Sequence, residues 1–108
     1  MYGFDEAKNK RTIDKPKKIQ VHLYAAGWTV SGGTGQQGII IPGVYYADVI
    51  IVSPDYTFMD AYVASKVGAS YKTLSGDNET LVFECDGSNL PETDLIVNVL
   101  MMQAETVT

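Results

Sequence analysis

Few residues of this chain have side chains suited to catalysis or metal binding, and they stand far apart. The sequence has one histidine, His22, and one cysteine, Cys85. A single cysteine excludes an internal disulfide framework and a CxxC-type zinc site, and a single histidine excludes a His-rich metal site. His22 alternates with Gln20 and Tyr24, which predicts a surface position on a strand. The sequence therefore indicates no catalytic residue, no metal site and no cofactor.

The sequence around Cys85 disfavours a reactive thiolate. Its neighbours Glu84 and Asp86 are carboxylates, which raise the pKa of a nearby thiol. Cys85 also alternates with Leu81 and Phe83, so we expect it on the core face of a strand, where a free cysteine acts as a small hydrophobic residue.

Two loop-like stretches resemble ligand-binding loops only in composition. Residues 86–94, DGSNLPETD, contain oxygen ligands for calcium but lack the EF-hand spacing, which favours loop capping and turn formation. Residues 31–38, SGGTGQQG, contain neither GxGxxG nor GK[ST] and lie between strands. We interpret them as a flexible hairpin loop and predict no phosphate site there.

Aromatic residues are the more informative group, because the chain has seven tyrosines and one tryptophan. Tyrosine is common in ordinary strands, at protein interfaces and, beside tryptophan, in surfaces that stack on sugar rings. These three interpretations stay open. The candidate residues for an interface or a glycan site are Trp28, Tyr45 and Tyr46.

Charge divides the chain into two parts. Residues 1–18 hold six basic and three acidic side chains, whereas the other 90 residues hold two basic and ten acidic ones. We therefore predict an N-terminal basic arm, residues 1–17, and one folded body, residues 18–108. Nucleic-acid binding is disfavoured because an acidic body repels phosphate. Residues 1–11 lack the apolar run of a signal peptide, and no apolar run is long enough for a membrane span.

The arm is the predicted anchor. Two aromatic residues in an otherwise polar segment suggest docking, either on another protein or back on the body itself. The candidate anchor residues are Tyr2, Phe4, Lys8, Lys10 and Arg11.

The body predicts an all-β fold, an antiparallel sandwich of about seven short strands. Period-two alternation starts at Ile19, and Val49 to Val52 form a β-branched run suited to a strand that is buried on both faces or lies in a sandwich core. One short helix is predicted over residues 55–66, capped by Ser53 or Asp55 and ended by Gly68. The final strand, residues 94–102, is apolar on both faces towards its end.

The order of these pieces resembles a small domain of phage and prophage virion proteins, found near or within tail-fibre, baseplate and head-fibre genes. The similarity runs from Lys18 to Met101 and comprises a GW after the first strand, VSPD before a helix, and a closing LVFECDGSNLPETDLIVNV. The matching residues are Gly27, Trp28, Val52, Ser53, Pro54, Asp55, Leu81, Phe83, Cys85, Pro91, Asp94, Leu95, Val97, Asn98 and Val99.

The resemblance implies a non-enzymatic structural role in the phage particle, with other virion proteins as partners. It also implies a trimer, and the doubly apolar final strand independently predicts a symmetric homo-oligomer. The alternative function is a carbohydrate-binding module that recognises host surface glycans through Trp28 and nearby tyrosines.

Overall fold

The structure, a computed structural model, describes residues 15–105. Seven strands and one short helix follow one another along this part of the chain. Their bounds are β1 Lys17–Leu23, β2 Thr29–Ser31, β3 Thr34–Ile40, β4 Val49–Pro54, α1 Met59–Ala64, β5 Gly68–Ser75, β6 Asn78–Asp86 and β7 Leu95–Met102.

The strands form two antiparallel sheets, which confirms the predicted all-β sandwich with one short helix. One sheet has the order β1-β7-β4, so that the last described strand lies at its centre, and the other has the order β2-β3-β6-β5. The inward residues of β1, β6 and β7 are the predicted alternating ones. Phe83 is fully buried and Cys85 is 4% exposed, as predicted.

The glycine-rich stretch 31–38 is not a loop, contrary to the sequence-based expectation. Only Gly32 and Gly33 form the turn, with φ of 61° and 83°, and β3 begins at Thr34. A Cβ atom on Gly35 would lie 2.8 Å from both Cys85 Sγ and Leu90 Cδ2. The glycine therefore permits close packing within a strand instead of flexibility.

The predicted helix is shorter than expected. A 3-10 turn, Tyr56–Phe58, precedes α1, and the Asp55 side chain accepts a hydrogen bond from the Thr57 N–H at 3.4 Å. The helix ends before Lys66, whose φ of 54° reverses the chain, so Lys66 takes the role expected of Gly68. Phe58, Ala61 and Tyr62 pack against the core, as the helical spacing predicts.

The start of β1 and the environment of β4 also differ from the sequence-based expectations. β1 begins at Lys17, one residue inside the predicted arm. β4 is an edge strand with its Ile51 52% exposed, so its β-branched run lies in the sandwich and is not buried on both faces.

Candidate interaction surfaces

The outer face of the β1-β7-β4 sheet is an exposed surface with an apolar centre. Ile51 and Lys18 are the register partners of Leu100 on either side, so these three side chains form one row across the sheet. Leu100 and Met102 on the central strand are half-buried, although they point away from the core. A shallow depression of about 350 Å³ lies on this face. It is lined by Lys18, Gln20, Ile51, Ser53, Asn98 and Leu100.

Towards the other end of the same face, polar side chains pair with one another. Gln20 Nε2 donates to Asn98 Oδ1 at 3.2 Å and lies 3.5 Å from Asp55 Oδ1. Asn98 stands on the central strand, so its amide oxygen is satisfied within the sheet itself. The face thus has an apolar half around Leu100 and a polar half around Asn98.

The two ends of the sandwich are formed by different segments and differ in their charged side chains. The arm end is defined by Lys15–Lys17, the turn 42–48 and Met102, which the antiparallel register brings together. The helix end is defined by the turns 24–27 and 31–34, the segment 55–67 and the loop 86–94. Charged side chains of these helix-end segments are mostly acidic: Asp55, Asp60, Asp86, Glu92 and Asp94, with Lys66. The arm end has Asp48 in its turn and the basic residues Lys15 and Lys17.

Tyr45 and Tyr46 lie at the arm end, exposed on a 3-10 turn. Their side chains are 42% and 38% exposed, and their rings pack edge to face with centroids 5.3 Å apart. Lys72 Nζ fixes this turn by donating to the carbonyls of Tyr45 at 3.1 Å and Ala47 at 2.6 Å. The tyrosine pair is therefore presented on a supported turn, available to a partner.

Glu79 supports the same turn from inside. It is 5% exposed, its Oε2 accepts from the Gly43 N–H at 2.6 Å, and its carbonyl accepts from the Ile41 N–H at 2.8 Å. Lys17 Nζ lies 3.5 Å from the Pro42 carbonyl, which places the root of the arm beside the turn.

Trp28, a candidate residue for an interface or a glycan site, does not belong to this surface. Only 9% of Trp28 is exposed, and it packs in the core cluster. Its indole therefore offers no ring face to a sugar or to a partner protein. Gly27, which precedes Trp28, leaves room for a neighbouring side chain, because a Cβ atom there would lie 2.7 Å from Gln37 Oε1.

The five candidate anchor residues of the arm, Tyr2, Phe4, Lys8, Lys10 and Arg11, lie outside the described residues. The structure fixes only the root from which they extend. His22 is exposed and stacks on Tyr24 with ring centroids 6.2 Å apart.

Burial raises the pKa of the Cys85 thiol, with a further increase from Asp86 and a decrease from a backbone hydrogen bond with Gly35. Within residues 15–105 no three His, Cys, Asp or Glu side chains gather as metal ligands. The same residues contain no helix that is both long and apolar enough to span a membrane.

Sequence reasoning missed Gln37, Lys72 and Glu79, which hold turns in place. Glu79 shares the inward parity of Leu81 and Phe83, a signal that marked it for burial. For Gln37 and Lys72 no comparable local signal exists, since their partners are distant in sequence.

Comparison with known proteins identifies no relative of this chain. No family model matches the chain, no curated protein matches it, and no solved structure matches its fold.

Proposed function

We propose that this chain is a non-enzymatic structural protein of a phage particle, of the fibre, baseplate or capsid-decoration type, anchored by its N-terminal arm. The observation that carries the proposal is the convergence of interaction elements at the arm end. There the root of the arm, at Lys17, lies beside the turn that presents Tyr45 and Tyr46. An aromatic pair next to a basic tether is suited to a protein interface.

The acidic helix end completes this arrangement. A body held by its arm end places the acidic helix end farthest from the attachment point. Like charges on neighbouring bodies repel at that end, which keeps displayed copies from aggregating. We further propose a symmetric homo-oligomer, with a trimer as the expected state.

The proposal is tested by incorporation into particles. A tagged chain is produced during particle assembly in the host of the encoding genome, alongside variants lacking residues 1–14 or carrying Tyr2→Ala with Phe4→Ala. We expect the full chain to purify with the particles and both variants to remain free. Antibody labelling in electron microscopy then locates it.

Absence of the full chain from particles would overturn the proposed function. Incorporation of the arm-deleted variant at the level of the full chain would overturn the role of the arm as anchor. A control variant, Tyr24→Ala, removes an exposed tyrosine from the other end and should be incorporated normally.

Glycan recognition is the second candidate, favoured only by the exposure of Tyr45 and Tyr46. Burial of Trp28 removes the residue on which it chiefly rested. Glycan-array binding that is lost in Tyr45→Ala while the fold persists would support it, and no binding at millimolar sugar would reject it.

A further inference from the structure

We propose that Lys72 and Glu79 form a two-point latch that positions the tyrosine turn, residues 42–48, for contact with a partner. The inference deepens the proposed function, on which it rests for the identity of the partner as a virion protein. It assigns to these two charged residues the role of orienting Tyr45 and Tyr46, so both are positioning residues of the attachment surface.

The tyrosine turn has only weak bonds of its own. It links β3 to β4 and so crosses from one sheet to the other at the arm end. Its backbone hydrogen bonds run from Val44 to Ile41 at 3.1 Å, from Tyr46 to Gly43 at 3.3 Å and from Ala47 to Val44 at 3.2 Å. A single 3-10 turn has poor hydrogen-bond geometry, so its conformation depends on contacts from other elements.

The two charged side chains bind opposite ends of the turn. Glu79 Oε2 accepts from the N–H of Gly43, where the turn begins, at 2.6 Å. Lys72 Nζ donates to the carbonyls of Tyr45 at 3.1 Å and Ala47 at 2.6 Å. The Tyr45 carbonyl belongs to the peptide group that joins the two tyrosines. The ammonium group therefore fixes the link between the two rings.

The polar atoms of both side chains are used for the turn. Glu79 is 5% exposed, and among residues 15–105 its Oε1 has no hydrogen-bond partner. A buried carboxylate requires a donor, and here the donor is the backbone of the turn. Within the same residues, the hydrogen bonds of the Lys72 ammonium all go to carbonyls of the turn.

The tyrosine rings contribute little to the core. Val44 and Ala47, which flank them, are 0% and 1% exposed and belong to the core cluster. The rings of Tyr45 and Tyr46 are half-exposed and contact each other edge to face. Their orientation is thus a property of the turn, and the residues that bind the turn determine it.

Both contacts come from one hairpin. Lys72 lies on β5 and Glu79 on β6, and these paired strands are joined by a turn at Gly76. Because one hairpin binds both ends of the tyrosine turn, loss of either contact should release it. The effects of losing both contacts should therefore not add. This distinguishes a two-point latch from two independent stabilising contacts.

The latch is tested by amide hydrogen exchange of the full chain, followed residue by residue by NMR. Lys72→Met removes the ammonium group and keeps the length of the side chain, and Glu79→Met removes the buried acceptor. In each variant, exchange at the Tyr46 and Ala47 amides should become about tenfold faster or more, the effect of losing a hydrogen bond to a charged group. The double variant should exchange no more than about twice as fast as the faster single variant.

The conservative variants separate the hydrogen bonds from the space that the side chains fill. Lys72→Arg keeps a cationic donor and Glu79→Gln keeps an acceptor, so both should retain slow exchange in the turn. Lys18→Met, which removes an exposed lysine of β1, is the matched control and should change nothing there.

Three results in the isolated chain would overturn the inference. The first is unchanged exchange at Tyr46 and Ala47 in both methionine variants. The second is exchange that accelerates by the same factor throughout β6 and β7, because the two residues would then only stabilise the domain. The third is a double variant whose effect is the product of the two single effects, which would replace the latch by independent contacts.

Incorporation into particles connects the latch with attachment. We expect Lys72→Met, and Tyr45→Ala combined with Tyr46→Ala, to be incorporated about tenfold less than the natural chain, and Lys72→Arg to be incorporated normally. Normal incorporation of Lys72→Met with a released turn would overturn the positioning role. Absence of the natural chain from particles would remove the proposed function instead, while the exchange data would still decide whether the latch exists.

Discussion

Replacing Gly27 with alanine should destabilise the domain by displacing one buried amide. A Cβ atom on Gly27 would lie 2.7 Å from Cδ and Oε1 of Gln37 and 2.9 Å from Nε2. Gln37 is 7% exposed, and it holds Tyr24 at two points. Its Oε1 accepts from the Tyr24 N–H at 2.8 Å, and its Nε2 donates to the Tyr24 carbonyl at 3.0 Å. The added methyl group forces the amide out of this contact.

The expected magnitude follows from the two hydrogen bonds. Each contributes about 1 kcal/mol, and leaving part-buried groups unpaired raises the total to about 2–3 kcal/mol. Gln37→Ala removes the same contact at a similar or larger loss. In that background Gly27→Ala no longer meets the amide, so it should cost less than about 0.5 kcal/mol. The coupling energy between the two positions is therefore about 2 kcal/mol.

The assay is a double-mutant cycle in urea at one protein concentration. Fluorescence of Trp28, the only tryptophan, reports unfolding because this residue is 9% exposed. Gly68→Ala is the matched control, since no atom lies within 4 Å of a Cβ there. We expect that control to change stability by no more than about 0.5 kcal/mol. Strictly additive effects of Gly27→Ala and Gln37→Ala would refute the explanation.

Three further predictions concern the core, the arm and one loop. Phe83→Ala should lower the free energy of unfolding by about 3–5 kcal/mol in urea denaturation, because the ring is fully buried. A loss below about 1 kcal/mol would contradict the observed register of the strand. Deleting residues 1–14 should leave the melting temperature nearly unchanged, since the core begins at Ile19; a large decrease in calorimetry would show that the arm packs on the body. Hydrogen bonds from the side chain and backbone of Ser88 lower the pKa of Asp86 in the folded chain. The ionised carboxylate therefore stabilises the fold at a pH above the pKa of the unfolded chain, and this stabilisation is lost as the pH falls through the lower pKa of the folded chain. The stability difference between the natural chain and Asp86→Asn should thus be largest near pH 6 and shrink below about pH 4, and a pH-independent difference in urea titrations would reject this cause.

Local alternation made much of the sheet structure predictable. Ile19 to Leu23 and Leu81 to Cys85 show a period of two that depends only on neighbouring residues. The glycine-rich stretch was misread because glycine serves both flexible turns and tight packing. The choice between them depends on Cys85 and Leu90, which approach Gly35 only in the folded chain.

The candidate site was less predictable for the same reason. An aromatic side chain carries no local sign of its exposure, so Tyr45 and Trp28 could not be separated by sequence, yet one is on the surface and the other in the core. Likewise the β-branched run around Ile51 fits a buried strand as well as an edge strand. Its exposure follows from the sheet order, which places β7 at the centre.

The central position of β7 has a consequence for biosynthesis. β1 and β4 both pair with β7 in their sheet, and Lys17 meets Met101 across 84 positions of the sequence. During translation these two strands have no neighbour in that sheet until the segment Leu95–Met102 leaves the ribosome. Closing such a long loop is slow, so we expect the β1-β7-β4 sheet to form late in folding and the unpaired strands β1 and β4 to rely on chaperones until then.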